Sequence, residues 1–391
     1  MAAPQDSGGL GLAILGLGTQ YPPNALPPSA LRILCNKFYP DSPALQKVLS
    51  INDCTGIEAR SSIATPDHPL VNQAKAPSIS DIHRIFVSDG VPLAVAACRK
   101  ALAEARVDPA QITHMVASTC TDSAHPGYDH LVARELGLGE TVEKVLLHGV
   151  GCSGGLAGLR TAANLCLGHT QRGLRARILV VALEVSTTLV RSELDMIDAS
   201  QETRIGVTLF SDCSSAIVLS NGIGEQAPPI YELLGWQHRT IPDTESDLGF
   251  DVDPLGWKLV LSPRVPQLTA GVLDFPPGYS SSPADFDWAM HPGGLKIMTG
   301  AEKALGITAK HMRASYDTYK NHGNSSSATI FSVLDRLRQK DMDVGAPDER
   351  PRDYVVGCAF GPGITVEMCM LKRNMVERPP PDPDESGPPA T

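Results

Sequence analysis

The sequence predicts an α/β protein made of two similar halves, and three observations carry that prediction. Apolar runs of strand length alternate with stretches of helical spacing along most of the chain. Glycine-rich turns at comparable places recur in the same order in both halves. The length, 391 residues, exceeds what one hydrophobic core usually serves.

The elements follow in order. Leu10 to Gly18 is a continuous apolar run bounded by glycine and then Tyr21-Pro-Pro, which suits a buried strand better than a helix. Val91 to Ala105 has helical spacing with its charges on one side, and Ile112 to Thr119 is a strand. Val145 to Val150 is a short apolar run, from which Gly151-Cys-Ser-Gly-Gly155 leads into an apolar helix, Leu156 to Leu167. Ile178 to Glu184 gives a strand, and Gly206 to Ser220 reads as a hairpin. In the second half Tyr231 to Trp236 and Phe286 to Met290 are strands and Leu295 to Leu305 is a helix. Arg313 to Tyr319 runs toward His322-Gly-Asn-Ser325, which enters a helix from Ala328 to Arg338, and Tyr354 to Met370 closes the chain with a second hairpin.

Two correspondences support duplication. His148-Gly-Val-Gly-Cys152-Ser before a helix answers to His322-Gly-Asn324-Ser before a helix, and Leu209-Phe-Ser-Asp-Cys-Ser-Ser-Ala-Ile-Val218 answers to Ala359-Phe-Gly-Pro-Gly-Ile-Thr-Val366. Glycines between strand and helix occur throughout α/β folds, so one match alone carries little. Two in the same order, with a reactive residue type at a helix start in each half, point to a duplicated site at the junction. The expected organisation is an N-terminal half over 1–222, a C-terminal half over 223–375, and a proline-rich, charged, disordered tail over 376–391.

Composition removes several classes of function. Hydrophobic residues at 42% with charged residues at 19% give a globular balance. A net charge of -10 with no run of Lys and Arg argues against a nucleic-acid partner. Nine cysteines without a C-x-x-C pair form neither a zinc arrangement nor a disulfide framework, and they read as reduced thiols. No metal or other cofactor is expected. The apolar run at Leu10 is too short to span a bilayer and has Asp6 but no basic residue before it, so a soluble, cytoplasmic protein without a membrane span is expected.

Cys152 is the sharpest chemical position. It stands between glycines at the start of an apolar helix, whose free N–H groups and positive dipole end favour a thiolate and predict a lowered pKa. The other eight cysteines read as inert core or loop thiols. His291 ends an apolar run and begins Pro292-Gly293-Gly294, at the lip of a strand where the backbone turns. Alone it reads as structural, and Asn324 alone reads as an ordinary helix N-cap. Together the three supply a nucleophile and two donors for a developing oxyanion. Papain-like hydrolases also use Cys, His and Asn, but their sequence context around the cysteine is absent here.

Val150-Gly-Cys152-Ser-Gly-Gly, Trp288-Ala-Met-His291-Pro-Gly-Gly, His322-Gly-Asn324-Ser-Ser-Ser and Phe360-Gly-Pro-Gly363-Ile-Thr-Val-Glu resemble the type III polyketide synthases, the chalcone synthase family. The resemblance covers nearly the whole chain apart from its ends, and the style is that of the fungal branch. It implies a thiolase-like fold, layered αβαβα with two pseudo-symmetric halves, and a homodimer. By resemblance, Cys152 accepts an acyl starter from coenzyme A. His291 helps maintain the thiolate and, with Asn324, binds the malonyl thioester carbonyl. Decarboxylation gives an enolate that attacks the acyl-Cys152 thioester, and repetition without an acyl carrier protein gives a chain that cyclises.

The same alignment of motifs places further residues. Phe210 falls on the gatekeeper phenylalanine between coenzyme A tunnel and cavity, and Leu259 departs from the second, aromatic gatekeeper. Cys120, Thr121, Ser186, Leu189 and Ser326 fall on cavity-lining positions, Gly361, Pro362 and Gly363 on the loop that shapes the cavity floor, and His125 on the residue that reaches into the partner subunit's cavity. Lys47 keeps one coenzyme A-binding cation, Ser50 and Cys54 stand where two more are expected, and Arg60 is a further cation for that rim. Leu259 and Ser186 remove bulk, which predicts room for an aliphatic acyl chain from a medium to long fatty acyl-CoA and alkylpyrone, alkylresorcinol or resorcylic acid products. The alternatives are a ketoacyl carrier-protein synthase that condenses once, the joining of a β-ketoacyl thioester to a second ketide chain, a Cys hydrolase, and a catalytically silent acyl- or lipid-binding protein.

Overall fold

A computed structural model describes residues 9–225, 228–253, 256–273 and 281–374, so the expected tail over 376–391 lies outside the described residues. The first half comprises β1 (Leu12–Gln20), β2 (Asn24–Leu26), α1 (Ser29–Phe38), α2 (Pro43–Asn52), β3 (Arg60–Ser62), α3 (Ile79–Ile85), α4 (Val91–Ala105), β4 (His114–Ser118), α5 (Tyr128–Leu136), β5 (Glu143–Leu147), α6 (Gly154–Gln171), β6 (Arg177–Val185), α7 (Val190–Ser200), α8 (Gly206–Leu209) and β7 (Asp212–Ser220). The second comprises β8 (Tyr231–Thr240), β9 (Leu248–Asp253), β10 (Gly256–Leu261), α9 (Val265–Ala270), β11 (Asp287–Met290), α10 (Leu295–Leu305), α11 (Arg313–His322), α12 (Thr329–Leu337), α13 (Lys340–Val344), β12 (Tyr354–Gly361) and β13 (Thr365–Arg373).

Nine strands form one sheet in the order β11-β12-β13-β8-β1-β7-β6-β4-β5. The halves join where β1 and β8 pair antiparallel. Outward from that join both wings repeat one pattern of directions. β1 with β7 and β8 with β13 are antiparallel, β7 with β6 and β13 with β12 are antiparallel, and β6 with β4 and β12 with β11 are parallel. β5 adds one more parallel strand to the first wing. This repetition of topology is what the two recurring glycine motifs reflect.

One predicted element is corrected. Gly206 to Ser220 is not a hairpin: Gly206–Leu209 make a helical turn, and Asp212–Ser220 is a single strand lying between β1 and β6. Every residue of that strand is buried, so no polar alternation marks where it begins.

The core explains the layering. α6 and α12 lie between the wings, where Leu156, Leu159, Ile330 and Leu334 pack with Ile178 and Ile217 of one wing and Val355 and Leu371 of the other. α4 and α5 cover the outer face of the first wing, and α10 covers that of the second. The result is αβαβα. The inner helices approach closely at their starts because α6 begins with glycine. A Cβ at Gly155 would lie 2.6 Å from the Ser327 carbonyl oxygen and 2.5 Å from Ile330 Cγ2. That contact brings the turn before α6, with Cys152, against the turn before α12, with Asn324. Among the described residues no helix is long and apolar enough to cross a membrane.

Candidate active site

Cys152 sits in the one-turn 3-10 segment Gly151–Ser153 that leads into α6. Gly151 adopts φ 47°, and a Cβ there would strike the Pro362 ring at 2.7 Å. A Cβ on Gly361 would in turn lie 2.3 Å from Ser153 Oγ. The Gly361-Pro362-Gly363 loop of the second half therefore rests directly on the nucleophile turn of the first, and the Gly363 N–H is bonded to the Leu248 carbonyl at 2.8 Å.

Asn324 is stitched to the segment bearing Phe210. Its N–H donates to the Leu209 carbonyl at 3.0 Å, and its carbonyl accepts from the Ser211 N–H at 2.9 Å. The side-chain Oδ1 accepts from the Ser326 N–H at 2.8 Å, which turns the amide NH2 toward the Cys152 sulfur. His291 follows β11 with its own N–H on the Cys358 carbonyl at 2.7 Å. The residue is 1% exposed, and neither ring nitrogen has a hydrogen-bond partner among the described residues. Cys152, His291 and Asn324 line one cavity of about 420 Å³, together with Phe210, Leu259 and Phe360. A buried imidazole without partners is costly, so its place on that wall marks the spot where a ligand's polar atom belongs.

The charge state differs from the sequence expectation. Burial pushes the Cys152 thiol up to about 11, opposed by hydrogen bonds from Ser326 and Asn324 and reinforced by the Glu184 carboxylate. Burial likewise pushes His291 down to about 3. The lowered thiol expected from the helix terminus is therefore corrected: desolvation of the sulfur outweighs the dipole, and each group alone rests neutral. Charge on either group is offset only if the proton moves from Cys152 to His291, so that each ion faces the other.

A second cavity of about 780 Å³ adjoins the first, and Phe210 and Leu259 belong to the walls of both. Its lining is mainly apolar, with Leu31, Leu34, Val71 and Leu189 among it, and Ser186 is also on its wall. Cys120, Thr121 and Ser326 are not on the wall of either cavity. They gather behind Cys152: the Cys120 N–H and Thr121 hydroxyl donate to Glu184 at 3.1 and 3.0 Å, and Ser326 Oγ lies 3.4 Å from Cys120 Sγ. Sequence reasoning missed Glu184. An acid ending the otherwise apolar run from Ile178 was the available signal, and burial raises its carboxyl above the usual range.

Lys47, Ser50 and Cys54 are all exposed at α2 and just beyond it. Arg60 does not belong to that rim, which corrects the expectation. Its guanidinium is buried, bonded to Asn52 Oδ1 at 3.1 Å and the Val207 carbonyl at 3.0 Å, and it lines the larger cavity. His125 is exposed, edge-on to His148 at 6.5 Å, and outside both cavities of its own chain.

A thiol, an imidazole and a carboxamide meeting at the seam of a duplicated α/β fold fit one class: a thiolase-like condensing enzyme that transfers acyl groups. Comparison with known proteins narrows it. Models of the N-terminal and C-terminal domains of chalcone and stilbene synthases match residues 5–223 and 237–375. Acylalkylpyrone synthase csyB of Aspergillus oryzae is 39% identical over 380 residues, covering 93% of this chain and 94% of that protein. Type III polyketide synthase pspB of Penicillium soppii is 39% identical over 396 residues, covering 94% and 97%. The crystal structure of a type III pentaketide synthase from Neurospora crassa superposes with a TM-score of 0.91 at 67% identity, covering 93% of this chain and 100% of that one. The chain belongs to the chalcone and stilbene synthase family. It is a type III polyketide synthase, an acyltransferase acting on coenzyme A substrates.

Proposed function

We propose that the enzyme loads a medium to long fatty acyl-CoA onto Cys152 and extends it with malonyl-CoA. His291 takes the thiol proton, the sulfur attacks the acyl-CoA carbonyl, and coenzyme A leaves as its thiol. Malonyl-CoA then binds with its thioester oxygen on His291 and the Asn324 amide. Its carboxyl carbon departs as CO2, and the electron pair left behind forms an enolate that those donors stabilise. The enolate carbon attacks the acyl-Cys152 carbonyl and the sulfur is expelled, leaving a chain two carbons longer on coenzyme A. Return of that chain to Cys152 allows further rounds, and cyclisation yields an alkylpyrone, alkylresorcinol or resorcylic acid.

The observation that carries this reading is the shared wall. The cavity with the three reactive side chains meets an apolar cavity across Phe210 and Leu259, which suits a fatty chain whose thioester end must stay beside Cys152. The name of the Neurospora relative, a pentaketide synthase, supports several rounds over one. We assign the two halves to 1–222 and 223–375 and the Lys47 ammonium to a coenzyme A phosphate. We assign His125 to the second subunit's cavity in a cytoplasmic homodimer, with no carrier protein in the cycle. The test is intact-mass measurement after incubation with lauroyl-CoA. A lauroyl adduct on the wild type that is absent from Cys152→Ala, followed by pyrone or resorcinol products when malonyl-CoA is added alone, is expected. Free fatty acid without an adduct would indicate a hydrolase, and an adduct that malonyl-CoA never discharges would refute condensation.

A further inference from the structure

The two residues shared by the cavities are held in different ways. Phe210 follows α8, donates its N–H to the Gly206 carbonyl at 3.0 Å and bridges to Asn324, so its backbone is fixed to the catalytic seam. Leu259 lies on β10, which pairs only with β9 in a two-stranded ribbon outside the main sheet. In such a ribbon about half of the N–H groups face away from the partner strand and need another acceptor. The Leu259 N–H meets Glu193 Oε1 of α7 at 3.2 Å.

Glu193 is an unusual residue for its place. It is 7% exposed and stands in the wall of the larger, mainly apolar cavity, where a carboxylate is costly unless its oxygens are engaged. On the opposite side, Leu259 rests against bare backbone: a Cβ on Gly206 would lie 2.3 Å from Leu259 Cδ2. Leu259 is thus set between a hydrogen bond from α7 and a glycine of α8, and α8 also carries Phe210.

We propose that Glu193 is a positioning residue of the gate: by accepting the Leu259 N–H it fixes the spacing between β10 and α8, and thereby the chain length of starter that passes between the cavities. The proposal rests on the assignment of the larger cavity to the acyl chain. With the acceptor gone, the ribbon is free to shift at Leu259 and a long starter loses its fixed channel. An acetyl starter, too short to extend into the larger cavity, depends on that spacing less.

The test compares kcat and KM for acetyl-, lauroyl- and stearoyl-CoA, with malonyl-CoA as extender, in Glu193→Gln, Glu193→Met and Leu34→Trp. Gln keeps a carbonyl oxygen for the Leu259 N–H, whereas Met keeps the length without the acceptor. Glu193→Met is expected to lower the stearoyl-to-acetyl ratio of kcat/KM by about fivefold, the factor that loss of one ordinary hydrogen bond produces, chiefly through the stearoyl KM. Glu193→Gln is expected to recover most of that ratio. Equal losses on every starter, or the same behaviour from Gln and Met, overturn the proposal. Leu34→Trp fills the cavity from α1 and tests the underlying assignment. If it leaves the ratio untouched, the cavity does not hold the acyl chain. If it lowers the ratio while Glu193→Met does not, the acyl cavity stands and the role of Glu193 falls. Should either apolar replacement fail to fold, Glu193→Leu and Ala30→Leu carry the same expectations.

Discussion

The seam and the gate of this enzyme are built on opposite principles. The seam holds Cys152, His291 and Asn324 where two copies of one topology meet; the backbone segments that carry Cys152 and Asn324 are tied to the other half, and that of His291 is anchored within its own. The Pro362 loop lies on the Cys152 turn, Asn324 is paired with the strand entry at Phe210, and His291 hangs from the Cys358 carbonyl. The gate uses elements with no counterpart in the other half among the described residues: α1, α7, α8 and the β9–β10 ribbon. Chemistry requires atoms fixed to within a fraction of an ångström, and the duplicated core supplies that. Substrate range requires walls that can vary without disturbing the seam, and the added elements supply those.

If the seam acts through proton transfer between two groups that burial keeps neutral, removing one must strand the other. In His291→Gln the burial that raises the thiol remains and its proton has no acceptor, so only a small fraction is ionised at pH 7. Alkylation of Cys152 by iodoacetamide is then expected to rise about tenfold per pH unit through the neutral range, with no plateau below about pH 11. The sign follows from the direction of the shift: a raised thiol pKa means less thiolate at every pH below it. The wild type, with His291 present to receive the proton, is expected to react faster at pH 7 by several orders of magnitude. Equal rates for the two proteins would separate His291 from activation of the sulfur. Asn324→Ala removes one donor to the enolate oxygen and leaves the sulfur in place. Its expected cost is about 10²–10³ in kcat for condensation, with the lauroyl adduct on Cys152 still formed. Loss of the adduct as well would place Asn324 in loading, not in extension.

The seam was legible in the sequence for a physical reason. Turns that expose a nucleophile between a strand and a helix need glycine at particular places, and the close start of α6 against α12 leaves no room for a side chain at Gly155. Such needs write themselves into short, unbroken motifs around Cys152, His291 and Asn324. The sheet was legible for the same kind of reason, since Leu10 to Gly18 and Ile178 to Glu184 are apolar on both faces. The strand after Phe210 was misread because full burial erased the alternation that would have marked its start. Glu184 escaped notice because its role depends on Cys120, Thr121 and Ser327, far apart in the chain and joined only by folding. Arg60 was read as part of a surface rim because nothing in its neighbourhood shows that Asn52 and the Val207 carbonyl bury it. Contacts between distant, unrepeated segments leave no local mark, and the gate consists of little else.

A further variant tests the gate alone. Leu259→Phe adds a ring where the side chain already touches Gly206 and shares both cavities with Phe210, so the extra volume has to enter the passage between them. A starter whose chain must cross that passage loses contact area or is excluded, whereas an acetyl group is too short to extend across it. A change of about 1–3 kcal/mol, the usual worth of a modest volume change in an apolar pocket, corresponds to a loss of about 5- to 150-fold in kcat/KM for stearoyl-CoA. The acetyl value is expected to change several times less. Assays over a graded series of acyl-CoA starters check this, with the break in the series marking the carbon number at which the chain meets residue 259. A uniform loss across the series would mean that Leu259 supports the seam and not the gate, and the division between the two regions would then have to be drawn elsewhere.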